Sequence, residues 1–331
     1  MQPSPQRIMD LACAFYDSSV LFAANDLGVF AALSKSGPAD LQALSSGLSC
    51  DQRGLRLVLD AAVALGLLEK SGGLYSNAPE AAIFLTPGSP ADLSNAIRYN
   101  RDVYPAWGRL AELARTGKPA ERPEIHLGED PARTRAFVLA MHGRALGIGR
   151  ALVPFLNLSG REKLLDIGGG PGTYSVLMAK ANPGLSSTVL DLPAVAAVAE
   201  ELIAAEGMAD RVRTLPGDYH ETPFPACDAV TILGVLHQES PSSIASILAR
   251  AHESLAPGGV IHIMDMMTDA SHTAPKFSAM FAVNMALTTQ NGWVFSDAEL
   301  HSWLSGAGFS DISIRPLPPP MPHWLASAKK G

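Results

Sequence analysis

Apolar residues recur at helical spacing through the first half of this chain, and beyond about residue 160 the pattern changes to short β-branched runs alternating with helical ones. Residues 9–33 carry Leu11, Phe15, Leu21, Phe22, Leu27 and Phe30 as a broad apolar stripe, which predicts a helical stretch. A short helix is expected at 39–46, after Gly37-Pro38. Another is predicted at 51–67 with Asp51 as its N-cap, because a carboxylate there can accept from the free amides of the first turn. Residues 68–75, Leu-Glu-Lys-Ser-Gly-Gly-Leu-Tyr, read as two short strands about a Gly72-Gly73 turn. Helices followed by a hairpin in this order suggest a winged helix. Residues 90–158 read as connecting helices, the longest at 133–155.

The second half predicts strand 163–167, helix 173–181, strand 187–191, helix 193–206, and strands 211–215 and 228–233. Helix 241–255, strand 259–265, helices 276–289 and 297–307, and strands near 311–315 and 323–328 follow. Such alternation is the signature of an α/β fold with a parallel sheet and crossover helices. The expected organisation is a helical domain at 1–100, connecting helices at 101–158 and an α/β domain at 159–331, with no internal repeat.

Composition narrows the partners. The 331 residues are 47% hydrophobic and 17% charged, enough for two well-buried domains. A net charge of -7 argues against a nucleic-acid surface. Helix 51–67 bears Arg53 and Arg56 but also Asp51 and Asp60, so packing or dimerisation is favoured over DNA reading. The apolar stripe at 9–33 is wider than one small domain can bury, which favours a partner subunit. Cys13, Cys50 and Cys227 lack CxxC spacing and read as reduced thiols. No basic-then-apolar leader and no run of ~18 uninterrupted apolar residues is evident, so a cytoplasmic location away from membranes is expected. No cluster has metal-ligand spacing, and no metal is expected.

The candidate chemistry centres on residues 164–174, Leu-Leu-Asp-Ile-Gly-Gly-Gly-Pro-Gly-Thr-Tyr, an apolar strand running into a glycine cluster. Gly168, Gly170 and Gly172 let the backbone approach a ligand at a helix N-terminus. A dinucleotide turn wants a third glycine where Thr173 stands, so the spacing suits an adenosine without a pyrophosphate. Asp191, ending the second strand, can accept both hydroxyl protons of a ribose. Asp218, after the third strand, can accept from an adenine amino group, and Asp166 can attract an amino-acid ammonium directly or through water. Leu192 and Tyr219, adjoining two of these acids, complete the candidate cofactor site. Adenosine plus amino acid describes S-adenosylmethionine.

The sequence resembles the S-adenosylmethionine-dependent O-methyltransferases of the caffeate, hydroxyindole and bacterial polyketide-tailoring type. Leu165-Asp166-Ile167-Gly168-Gly169-Gly170-Pro171-Gly172, Asp191-Leu192-Pro193, Gly217-Asp218-Tyr219, Val235-Leu236-His237, Leu255-Ala256-Pro257-Gly258-Gly259 and Gly306-Ala307-Gly308-Phe309 carry the likeness. Leu27-Gly28-Val29-Phe30 and Ala64-Leu65-Gly66-Leu67-Leu68-Glu69 extend it to the front half. The resemblance implies a winged-helix dimerisation domain before a Rossmann-like class I methyltransferase domain with a mostly parallel seven-stranded sheet. It also implies a homodimer, in which Phe15 and Phe22 reach toward the partner's pocket.

By the same resemblance His237 is the general base, a task suited to a group that titrates near neutral pH, and Asp265 is an acid that orients it. Met141, His142, Met280, Phe281, Asn284 and Met285 are implied to line a pocket for a small aromatic or polyketide-like acceptor. The chain departs from the pattern in three places. Gln238-Glu239 replaces the usual Asp-Trp after the histidine, Val294 stands where a second acid is usual, and Leu233 stands where a basic residue often meets the cofactor. Methylation of carbon or nitrogen by positioning alone is the alternative enzyme reading. A non-catalytic winged-helix regulator is the alternative from another class.

Overall fold

The computed structural model describes residues 4–89, 91–121 and 128–331. The chain divides into two compact units, Met1–Asp102 and Val103–Gly331.

In the first unit the stretch expected as one helical run is three helices: α1 (Gln6–Cys13), α2 (Phe15–Asp26) and α3 (Val29–Ser36). Gly28, at φ 73°, turns the chain between α2 and α3 in a left-handed conformation that glycine adopts without strain. At the first break Ala14 N–H bonds Leu11, one residue short of the α-helical spacing. Helix α4 (Leu41–Leu48) follows, then α5 (Gln52–Ala64), whose N-cap is Asp51, accepting from Gly54 N–H at 2.8 Å. Strands β1 (Leu68–Ser71) and β2 (Leu74–Asn77) form the expected antiparallel hairpin, with Gly72 and Gly73 both at positive φ. Helices α6 (Pro79–Phe84) and α7 (Ser94–Trp107) complete this part of the chain.

The core of this unit gathers Phe30, Leu33, Leu44, Leu55, Leu59, Leu68 and Tyr75. Helix α5 is tied to the hairpin through Asp60, which accepts from the Tyr75 hydroxyl at 2.8 Å and from Lys70 Nζ at 2.6 Å. Both contacts belong to packing. Helix α1 buries no residue, and Ile8, Met9, Leu11, Phe15 and Tyr16 are exposed together along α1 and the start of α2.

The second unit contains α8 (Leu110–Thr116), α9 (Pro131–Leu152), β3 (Lys163–Ile167), α10 (Thr173–Ala181), β4 (Ser186–Asp191) and α11 (Pro193–Ala205). Next come β5 (Val212–Pro216), β6 (Cys227–Leu233), α12 (Pro241–Ser254), β7 (Leu255–Asp265) and α13 (Lys276–Thr288). Helix α14 (Asp297–Gly306) and strands β8 (Phe309–Pro316) and β9 (Trp324–Lys330) close the chain. The seven strands form one sheet in the order β5-β4-β3-β6-β7-β9-β8. The first five are mutually parallel, and β9 runs antiparallel to β7 and to β8. Strand β7 starts earlier than expected, and a register shift between Cys227 and Ala229 absorbs its Pro-Gly-Gly segment.

Side chains alternate across this sheet because a strand has period two. Val230, Ile232, Ile261 and Ile263 pack on Ile244 and Leu248 of α12 and on Leu300 and Leu304 of α14. Ala229, Leu233, Met264 and Leu325 face the other way, toward Leu152 of α9 and Met178 of α10. Among the described residues, the stretch Pro131–Phe155 is the one helix long and apolar enough to cross a membrane by length and composition alone. Here it lies against α10, where Gly149 permits a close approach: a Cβ there would sit 2.6 Å from Leu177 Cδ1. The strand order reverses at β3, whose neighbours are β4 and β6, and a crevice at the C-terminal strand ends is the expected ligand site of such a sheet.

The end of α10 is sealed by Arg211, whose Nη2 donates to the carbonyls of Ala179, Asn182 and Leu185 at 2.6, 2.7 and 2.7 Å. Arg211→Ala leaves these carbonyls without their charged donor and is expected to lower stability by about 1.5–3 kcal/mol. The shift in urea midpoint at constant slope measures it.

Candidate active site

The turn between β3 and α10 holds three left-handed residues in five positions: Gly168 at φ 63°, Gly170 at 54° and Gly172 at 70°. A Cβ at Gly168 would lie 2.7 Å from Val235 Cγ2, and one at Gly172 would lie 2.9 Å from Ile203 Cδ1. A Cβ at Gly170 would meet no protein atom, so this residue presents bare backbone to the crevice. Asp191, at the end of β4, holds the turn: Oδ2 accepts from Gly170 N–H at 2.7 Å and Oδ1 from Leu192 N–H at 2.8 Å. Burial pushes its carboxyl up to about 6 against the pull of these amides. Thr173 opens α10, and its hydroxyl meets His142 Nδ1 of α9 at 2.8 Å. Burial holds this imidazole below its ordinary pKa.

Asp166 lies under the turn and is fully buried. Oδ2 accepts from Ser175 Oγ at 2.7 Å and Oδ1 from Thr231 Oγ1 at 2.8 Å, while Ser187 Oγ lies 2.8 Å from Ser175 Oγ. Desolvation pushes the Asp166 carboxyl up to about 6, and its two hydroxyl partners partly offset that rise. A Cβ at Gly169 would come within 2.7 Å of Asp166 Oδ2, so the acid packs directly against the glycine backbone.

Asp218 follows β5 and accepts from His220 N–H at 2.8 Å. Beside it, the Tyr219 hydroxyl donates to Glu239 Oε1 at 2.5 Å and receives Gln238 Nε2 at 3.3 Å. Burial raises the Tyr219 hydroxyl well above its ordinary value, which keeps it a neutral donor.

His237 sits in a short turn (Leu236–Gln238) past β6. Its Nδ1 lies 2.7 Å from Oδ1 of the buried Asp265 at the end of β7, and its backbone N–H reaches Asp265 Oδ2 at 3.2 Å. A carboxylate only accepts, so Nδ1 donates to Asp265 and in the neutral ring the lone pair is on Nε2. The imidazole also meets the edge of Phe281 on α13 at 5.0 Å between centroids. One turn along α13, Asn284 Oδ1 accepts from Trp107 Nε1 at 3.0 Å. Met285 is buried, Met280 is nearly half exposed, and Met141 is partly buried on α9. Val294 and Leu233 are both buried apolar residues.

Residues 124–310 match the family model of the O-methyltransferase domain, and residues 9–87 match that of the O-methyltransferase dimerisation domain. The chain belongs to the O-methyltransferase family. It is 34% identical to 3-hydroxy-5-methyl-1-naphthoate 3-O-methyltransferase of Streptomyces sahachiroi, over 93% of this chain and 90% of that one. It is 33% identical to the tetracenomycin polyketide synthesis 8-O-methyl transferase TcmO of Streptomyces glaucescens, over 93% and 92%. Human N-acetylserotonin methyltransferase, solved in complex with S-adenosylmethionine, superposes with a TM-score of 0.91 at 28% identity, covering 100% of this chain and 99% of that one. The cofactor of this family is S-adenosylmethionine.

For an O-methyltransferase of this kind, the residues present fit that group. Bare backbone at Gly170 is flanked by Asp191, with Asp218 at the next strand end and Asp166 buried beneath the turn, and this acidic lining suits a cationic sulfonium. A reading of the sequence missed four side chains near the candidate residues. Glu239 enters the sequence only as a departure from the family's pattern, Trp293 and Trp107 lie in no motif, and all three meet their partners only through folding. His323, before β9, has a buried Nδ1 with no hydrogen-bond partner among the described residues, and burial pushes its pKa down to about 4.

The Asp166 shift has a sign that can be checked. Its folded value of about 6 lies above the ordinary 3.8, so the folded state holds the proton more tightly. Stability from this group is full below about pH 4 and is lost as pH rises to about 6. Relative to Asp166→Asn, the wild type is expected to lose about 1–3 kcal/mol between pH 4 and pH 7, read from denaturant midpoints at each pH.

Proposed function

We propose that this chain transfers the methyl group of S-adenosylmethionine to a hydroxyl of a small aromatic or polyketide-like acceptor, with His237 as general base and Asp265 as the acid that orients it. The observation that carries this reading is the 2.7 Å contact between His237 Nδ1 and Asp265, which leaves Nε2 basic at the rim of the sheet. Asp191, Asp218, Leu192, Tyr219 and the glycine turn would hold the cofactor, with Asp166 beneath it as a buried negative group. When bound, S-adenosylmethionine supplies a methyl already activated on a sulfonium.

The chain's own task is then to align an oxygen and remove its proton. A phenol titrates near pH ~10 and is a poor nucleophile while protonated. His237 Nε2 takes the phenolic proton, and Asp265 stabilises the imidazolium that results. Alignment alone supplies roughly 7–11 kcal/mol of the barrier. Phe281 and Asn284 on α13, with Met141 and His142 on α9, would form the acceptor wall.

The exposed apolar residues Met9, Leu11, Phe15 and Tyr16 lie within the segment matched to the dimerisation domain, which supports a homodimer built through them. Three free cysteines suit a reducing, cytoplasmic compartment. A second reading, a nitrogen nucleophile, is favoured by one observation: N,N-dimethyltransferase OxyT of Streptomyces rimosus is 30% identical over 98% of this chain.

Incubation with labelled S-adenosylmethionine and a panel of hydroxynaphthoates, phenols and aryl amines, followed by NMR of the product, identifies the methylated atom. Oxygen is expected, and transfer to nitrogen alone overturns the reading. His237→Ala is expected to lower turnover by about 10²–10⁴-fold, and near-normal turnover would leave positioning as the whole mechanism. Light scattering is expected to give a dimer for the wild type and a smaller species for Leu11→Asp with Phe15→Asp.

A further inference from the structure

The two residues after His237 are one of the places where this chain departs from its family's pattern, and both are engaged by one side chain from the adenosine side of the site. Tyr219 adjoins Asp218 in the loop after β5, whereas Gln238 and Glu239 follow the base in the turn after β6. The Tyr219 hydroxyl has one proton, and it goes to Glu239, 2.5 Å away. Its oxygen must therefore accept from Gln238 Nε2 at 3.3 Å, which sets the orientation of that amide. Glu239 is itself buried, and Oε2 accepts from Ser243 Oγ at 2.5 Å while His220 Nε2 lies 3.3 Å from Oε1.

Trp293 ties the same turn from the opposite direction. Its backbone N–H donates to the His237 carbonyl at 2.9 Å and its indole N–H to the Glu239 carbonyl at 2.8 Å. The His237 turn is thus fixed at three points. One is the Asp265 carboxylate, another is Trp293, and the third is the hydroxyl of a residue in the adenosine loop. Hydrogen bonds to a carboxylate in a buried setting are strong and tolerate little displacement.

We infer that Tyr219, Gln238 and Glu239 form a positioning relay that makes the placement of His237 depend on whether the adenosine loop is occupied. The inference rests on the reading of the site as a cofactor site and names the residues that link its two halves. Glu239 is a positioning residue, acting on the base only through the turn they share. Because the Tyr219–Glu239 bond is short and Glu239 is buried, a displacement of Tyr219 by a nucleoside seated beside Asp218 is carried to the His237 turn.

Adenosine is the decisive probe, because it carries neither sulfur nor amino-acid chain that could touch the imidazole. In full-length protein labelled with ¹³C-histidine, the His237 ring signal is assigned by its loss in His237→Asn and followed at saturating adenosine. The wild-type signal is expected to shift. The shift is expected to vanish in Tyr219→Phe and in Glu239→Ala, and to return in Glu239→Gln, which keeps an oxygen for the tyrosine proton. A shift that persists in Tyr219→Phe, or that Glu239→Gln fails to restore, overturns the relay, as does a wild-type signal that adenosine leaves unmoved. Calorimetry of the wild type with S-adenosylhomocysteine separates the two levels. No binding overturns the cofactor site and the relay together, whereas binding without a Tyr219-dependent shift overturns the relay alone.

Discussion

The Asp191 carboxylate bonded to Gly170 N–H at 2.7 Å is the contact on which the rest of the site depends. Leaving β3, the chain turns through three left-handed residues before α10 begins, a path that costs a non-glycine residue about 1–2 kcal/mol at each step. Glycine removes that strain and also removes any side chain that would select the turn from its neighbours. Selection comes from outside, through an acid at the end of the adjacent strand. The same acid receives Leu192 N–H, so one side chain sets both the glycine backbone and the entry to α11. The crevice at the reversal of strand order is therefore shaped by cross-strand bonding before any ligand enters.

Burying acids at such an edge is unfavourable unless something answers them. Hydroxyls answer Asp166, backbone amides answer Asp191, and both carboxyls stand at about 6. These are neutral donors, so the negative charge is held in place without being cancelled. A sulfonium with an ammonium group is the complement of such a rim, which makes retaining uncompensated acids intelligible in an S-adenosylmethionine-dependent family. The balance differs at Asp265, whose Oδ1 has the His237 imidazole 2.7 Å away.

The departures after His237 follow from the same logic. Where the family's pattern has an indole next to the base, this chain has a carboxylate, and the indole of Trp293 arrives from a distant segment to bond the main chain there. Val294 is buried, so an apolar side chain stands where the pattern has a second acid. The His237 ring and turn are held by Asp265 and by two bonds from Trp293.

Period and punctuation made much of this protein legible from its sequence alone. Strand and helix alternation and glycines at alternate positions implied the parallel sheet and a glycine turn at its strand ends, because these signals arise within a few residues of one another. The break of the 9–33 stretch at Gly28 was equally local, yet the broad apolar stripe hid it. Tertiary structure alone decided which side chains meet: Asp166 with Ser175 and Thr231, Tyr219 with Glu239, and Trp107 with Asn284. Except for Ser175, nine residues from Asp166, these partners lie far apart in the chain. Hydrogen-bond partnership depends on angles and distances of a few ångströms, which strand register and helix packing set and which no pattern along the chain records.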